Sequence, residues 1–217
     1  GISNDIVPLE NSIANLLPCI RSDPKIAYAV PSTPNISNLQ APAVSYQTDA
    51  QMHEFARQNN RYDPFRHEQR ARLCNPIAAY RSHVLCNEFC FSGRIYPKKG
   101  SSFPDDRISC LSRRAGYRCV LVKDAYCHHF GSVTLKSEIQ KQGEIQHYQS
   151  GRQEFHKQFG IDPWGTGFCF DPALIQALDL SLPIEGHTEI LGLNCGLFSN
   201  PLKIREERKE RLHETPA

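Results

Sequence analysis

The chain has one methionine and one tryptophan in 217 residues, and no run of about 18 apolar residues, so no membrane-crossing helix is expected. Charge of one sign is also missing. Lysine and arginine number 25 against 23 acidic residues, a formal charge of +2, which gives no electrostatic reason to expect nucleic acid or an anionic membrane. The first residues, GISNDIVPLENSIANLL, lack the basic start and continuous apolar core of a signal peptide. They also lack an initiator methionine and enter an apolar–polar run at once, so the chain is expected to begin inside a domain. The nine cysteines contain no C-x2-C pair; Cys86 and Cys90 are the one close pair, and no second pair completes a zinc site. An odd number, with several inside apolar runs, points to reduced and mostly buried thiols in a cytoplasmic protein. What is present, 40% hydrophobic and 22% charged residues, is the composition of a globular chain with one sizeable core.

Periodicity gives an α/β order. Leu9, Ile13, Leu16, Leu17 and Ile20 have helical spacing, Asp23-Pro24 breaks it, and Ile26 to Val30 reads as a short buried strand ended by Pro31. A Pro- and Ser-rich loop to about Ser45 precedes a helix over Asp49 to Asn59, then a basic stretch containing Arg57, Arg61, Arg66, Arg70 and Arg72. Ala78 to Phe91 reads as strand then helix, and Gly93 to Ser102 as a mobile glycine- and lysine-bearing loop. Arg107 to Ala115 is predicted as a helix capped by Gly116, and Tyr117 to Val122 as a strand of a sheet covered on both faces. Ser137 to Phe159 is a polar helix, and Gly160 to Asp171 interleaves turn residues with aromatics. After Pro183 the pattern resets into strand, Gly-bearing loop and charged helix.

Three polar pairs lie at predicted strand ends or helix starts, where open α/β sheets place ligands. Each also has a purely structural reading. Asp105 and Asp106 suit a helix N-terminus through capping and the dipole. His128 and His129 could be packed histidines bonded to backbone, and Asn4-Asp5 a turn before the first helix.

Taken in order, the segments resemble the inverting glycosyltransferases of family two, which have the GT-A fold. Ser3-Asn4-Asp5 matches the family's N-N-D or D-x-D element, FPDDRISCLSRRAGY (103–117) its F-x-D-D-D-L-x-x-R-x-R-R-A-G-Y block, and AYCHHFGSVT (125–134) its A-x-x-x-H-[H]-x-G-S-x-T block. The resemblance spans roughly residues 2 to 170. It implies a partial GT-A fold, a mixed sheet flanked by helices and truncated at its N-terminal side, over residues 1–182. Residues 183–217 would be a linker or the start of a second Rossmann-like domain. It implies transfer of a sugar, with inversion, from a nucleotide-sugar donor to a glycan, lipid-linked or protein acceptor in surface-polysaccharide or glycoprotein assembly. Asp105 would be the general base; Asp5 and His129 would hold Mg2+ or Mn2+ on the diphosphate; Asn4, Asp106, His128 and Ser132 would contact substrate. Residues 100–104 would gate the acceptor side.

The third Asp and the Arg of D-D-D-L-x-x-R are replaced by Arg107 and Leu111, and a cation beside Asp105 is expected to lower its pKa. The family's donor-binding β-α-β units, which precede the N-N-D element, do not stand before Asn4. Two other readings stay open: a non-catalytic module keeping the acceptor half of the fold, and a metal-dependent hydrolase using Asp5, Asp105 and His129.

Overall fold

The computed structural model describes residues 1–86, 103–131, 144–165, 169–178, 189–193 and 196–214, the side chains of 144–147 and 212–214 excepted. Its central element is β5 (Arg118–Tyr126), the apolar run CVLV continued past the predicted end at Val122 to Tyr126. β5 pairs in parallel with β2 (Ile26–Ser32) and antiparallel with β3 (His67–Arg70), and β2 carries β4 (Ala79–Tyr80) antiparallel on its other side. The result is a mixed four-stranded sheet in the order β3-β5-β2-β4. Side chains of β5 alternate between faces. Cys119 and Leu121 pack with Ile108 of helix α3 (Pro104–Arg114), while Val120 and Val122 pack with Leu16 and Cys19 of helix α1 (Leu16–Ser22). Both faces are covered, as the unbroken apolar run requires.

β2 runs through Pro31, which the sequence reading took as its end. β4 pairs only as far as Tyr28 and Ala29, so at Pro31 the strand has no neighbour on that side and a residue without an N–H is tolerated. The ladder to β5 shifts register after Pro31. Helix α1 is shorter than its apolar spacing predicts, because residues 10–15 form turns before it. Helix α2 (Asp49–Asn59) has the predicted bounds, set by a capping box between Thr48 and Gln51. It packs Met52 and Ala56 on Leu9 and Tyr126.

β3 was not legible as a strand, since HEQR has no apolar alternation. It is an edge strand covered by helix α6 (Ser199–Glu214) through charge. Lys203 bonds Glu68 at 2.8 Å, Glu206 accepts the Gln69 backbone N–H at 3.1 Å, and Lys209 donates to the His67 carbonyl at 2.8 Å. A polar edge covered in this way is closed to further pairing. Residues 199–214 thus pack on the same sheet, and no strand forms over 189–193.

Helix α3 starts at Pro104, three residues before the predicted start, so Asp105 and Asp106 lie inside its first turn. Phe103 enters it at φ 64°, and Gly116 at φ 81° leaves it in a Schellman closure, Gly116 N–H to Arg113 O and Tyr117 N–H to Ser112 O. Helix α4 (Glu144–Phe159) lays Phe155 and Phe159 on Phe103 and Cys110. A six-residue helix α5 (Pro172–Ala177) is capped by Asp171. A two-stranded ladder joins β1 (Ile6–Val7) to β6 (His128–His129).

Among the described residues no helix is long and apolar enough to cross a membrane. The seven cysteines among them are free, and burial pushes the thiols of Cys19 and Cys119 up to about 12. The region 87–102, with its predicted loop and Cys90, lies outside the described residues, as do Ser132 and Cys195.

Candidate functional site

Three distant segments meet at one cavity of about 580 Å³. The N-terminal segment is held on one side by Ser3 N–H to Pro76 O and Ala78 N–H to Gly1 O. On the other it pairs Ile6 with His129. Asn4 and Asp5 are thereby brought to the start of α3, where Asp105 and Asp106 lie; all four line the cavity together with His129. These are five of the seven residues singled out from the sequence.

Asp105 takes its hydrogen bonds from Asn75. The backbone N–H of Asn75 donates to Oδ2 at 3.2 Å. Its side-chain amide, in the orientation that satisfies both ends, donates to the same carboxylate and accepts from the Tyr80 hydroxyl. Burial pushes the Asp105 carboxyl up to about 6, against the Asn75 N–H and with the negative charge of Asp106 adding to the rise. Burial also lifts Asp106, against the pull of Arg72. Arg72 bonds Asp106 through Nε, and that carboxylate raises the guanidinium above its usual range although burial works the other way. Ser109 fixes this register: its Oγ accepts the Leu73 N–H at 3.2 Å and bonds the Tyr28 hydroxyl at 2.7 Å, tying α3 to the segment that carries Arg72.

The expectation for Arg107 is overturned. Its side chain is fully buried and turned to helix α4, where it bonds Gln158, approaches Glu154 at 3.5 Å and lies over the rings of Phe155 and Phe159. It clamps α3 to α4, and Asp105 titrates above its ordinary value instead of below it.

Asp5 and His129 face each other, with Nε2 to Oδ2 at 3.2 Å. Neighbouring strand residues point to opposite sides, so His128 cannot share the cavity. It lines a different one, of about 400 Å³, with its Nδ1 2.5 Å from the Tyr46 hydroxyl. Burial lowers its pKa, as does the nearby His129.

A divalent cation can be tested against this donor set. Among the described residues no three His, Cys, Asp or Glu side chains converge on one point. Magnesium and manganese, however, are commonly held by one or two carboxylates completed by substrate phosphates and water. Asp5 meets that requirement. His129 does not: its Nδ1 is buried with no hydrogen-bond partner among the described residues. A metal on Nε2 would move the proton to Nδ1 and leave a buried donor unpaired. The arrangement fits His129 Nε2 standing against Asp5 at 3.2 Å and so orienting it.

Sequence reasoning missed Arg72, Asn75 and Trp164, all of which line the cavity. Arg72 was one arginine among five in a basic stretch, and nothing in the spacing singled it out. Trp164 carried a signal, as the sole tryptophan in a turn segment rich in aromatics. Compared with family models, with curated proteins and with solved structures, the chain returns no match.

Proposed function

We propose that this protein transfers a sugar, with inversion, from a nucleotide-sugar donor to an acceptor hydroxyl, and that the cavity between Asp5 and Asp105 is the reaction site. The observation that carries the reading is Asp105. Its carboxyl, pushed up to about 6, sits in the cavity that also holds the Asp5–His129 pair. A base with a pKa near the working pH combines a large ionised fraction with useful basicity. Asp105 takes the proton of the acceptor hydroxyl as that oxygen attacks the anomeric carbon, and Asn75 holds the carboxylate in place. Arg72 neutralises Asp106, so the two adjacent carboxylates do not have to carry charge unassisted.

Asp5 would hold Mg2+ or Mn2+, which when bound neutralises the leaving diphosphate. His129 keeps the Asp5 carboxylate aimed through the Nε2–Oδ2 contact of 3.2 Å. Asn4, at the mouth of the cavity, supplies an amide to the substrate. The order of the three sequence blocks supports transfer over hydrolysis, and supports the GT-A arrangement as the finer description of the mixed sheet.

Calorimetric titration of UDP-glucose and of GDP-mannose with manganese present tests the donor side. Binding that needs the metal and is lost in Asp5→Asn supports the reading; metal-independent binding that survives Asp5→Asn removes the assigned role of Asp5.

A further inference from the structure

Part of the cavity wall is aromatic, made by Phe103, Tyr148 and Trp164. Trp164 meets Phe103 edge-on at 5.4 Å and Tyr148 at 6.2 Å, and Phe103 and Tyr148 lie 6.2 Å apart. Phe103 is buried among α3 and α4, whereas Trp164 keeps 49% of its surface exposed. The half-open indole presents apolar surface at the cavity that holds Asp105. Its position is also fixed. The backbone N–H of Trp164 donates to Asp162 Oδ1 at 3.1 Å and that of Gly165 to Asp162 O at 3.0 Å. A side chain at Gly165 would meet Asp162 Cβ at 3.0 Å, so the turn has no room for one. Arg152, bonded to the same Asp162, lies over the indole at 5.1 Å.

Trp164 also lines a second cavity, of about 300 Å³, and stands with Ser37 and Arg72 on the wall common to both. The Asp105 cavity is also lined by neutral polar groups: Ser3, Asn4, and Asn35, Ser37 and Asn75, which bond His129 O, Cys74 and Asp105 and keep lone pairs or N–H groups for a ligand. A rigid indole beside a ring of hydroxyls and amides is complementary to a pyranose. The axial C–H bonds of the sugar lie on the π-face, and its hydroxyls take the polar partners.

We infer that Trp164 is a stacking platform for a saccharide of at least two units, one beside Asp105 and the next reaching past the indole into the second cavity. Its role as acceptor rests on the glycosyltransferase reading; saccharide binding itself does not. The acceptor is then a glycan, and Trp164 sets preference for its length.

Because the chain has one tryptophan, its fluorescence reports this position alone. The probes are cellobiose, maltose, lactose and N,N′-diacetylchitobiose, titrated into the protein without nucleotide sugar, with glucose and N-acetylglucosamine as controls. A saturable emission change is expected with at least one disaccharide, tighter than with its monosaccharide. By calorimetry, Trp164→Ala weakens that binding about tenfold and Trp164→Phe less, with circular dichroism confirming that both variants are folded. No response to any of the four disaccharides, or equal binding by folded Trp164→Ala, overturns the platform. Disaccharide binding without nucleotide-sugar binding keeps the platform and removes the transferase; donor binding without a disaccharide response does the reverse.

Discussion

The Arg72 guanidinium bonds the carboxylate of Asp106, while Asp105, its neighbour on the same helical turn, is bonded by Asn75. Two adjacent acids thus have different partners: Asp106, the more buried, is paired with Arg72, while the Asp105 carboxyl, bonded by Asn75, is pushed up to about 6. Giving two neighbouring carboxyls different partners is how one site can assign them different tasks.

Arg72→Gln removes the cation that pairs Asp106 and also lowers Asp105. Breaking a buried pair by deleting one partner costs about 3–5 kcal/mol, read as a lower urea midpoint. In the protein that remains folded, the Asp105 carboxyl moves above about 6, seen in a carbon-detected NMR titration. An unmoved titration would mean that Arg72 does not govern the pair.

Asp105→Asn has a pH-dependent effect on stability. The folded carboxyl lies near 6 against an ordinary value of 3.8, so the stability it lends is complete below about pH 4 and is lost as pH rises through 6. Relative to wild type, the Asn variant therefore gains stability between pH 4 and pH 7, by roughly 3 kcal/mol from a two-unit shift. Thermal unfolding at the two pH values checks it.

Arg107→Met separates clamp from catalysis. It deletes the Gln158 and Glu154 contacts between α3 and α4, and the expected loss is about 2–4 kcal/mol. The Asp105 titration is expected to stay near 6, since Arg107 is not among the groups that move it. A large shift would restore Arg107 to the site.

Glu68 is expected to make the other edge of the sheet acid-sensitive. Although burial disfavours its charge, Arg70, Lys123 and Lys203 together hold its carboxyl at about 2. A depressed carboxyl lends stability above its unfolded value near 4.5 and loses it as pH falls toward 2. Helix α6 is expected to detach from β3 in that window, and Glu68→Gln to lose roughly 3 kcal/mol at pH 7. Amide exchange along β3 reports both.

The sequence made the apolar elements legible and the polar ones illegible. β5 and α2 were found because an apolar run and a capped amphipathic segment have local signatures. β3 was missed because its strand character comes from pairing with β5 and cover by α6, neither of which lies nearby in the chain. The site divides the same way. Asn4, Asp5, Asp105, Asp106 and His129 were named from their blocks and share one cavity. Arg107 was misjudged because adjacency in sequence is not adjacency on a helix, where successive residues point about 100° apart. The cation that pairs with the acids is Arg72, 34 residues from Asp106 in the chain. His128 was paired with His129 by adjacency too, and strand alternation put them in different cavities.

The most direct measurement is sugar transfer from labelled nucleotide sugars by wild type and by Asp105→Asn across pH 5 to 8. The account predicts a wild-type rate that climbs through about pH 6 as Asp105 ionises, and a loss of about 10²–10⁴-fold in the variant. Undiminished transfer by Asp105→Asn would contradict it.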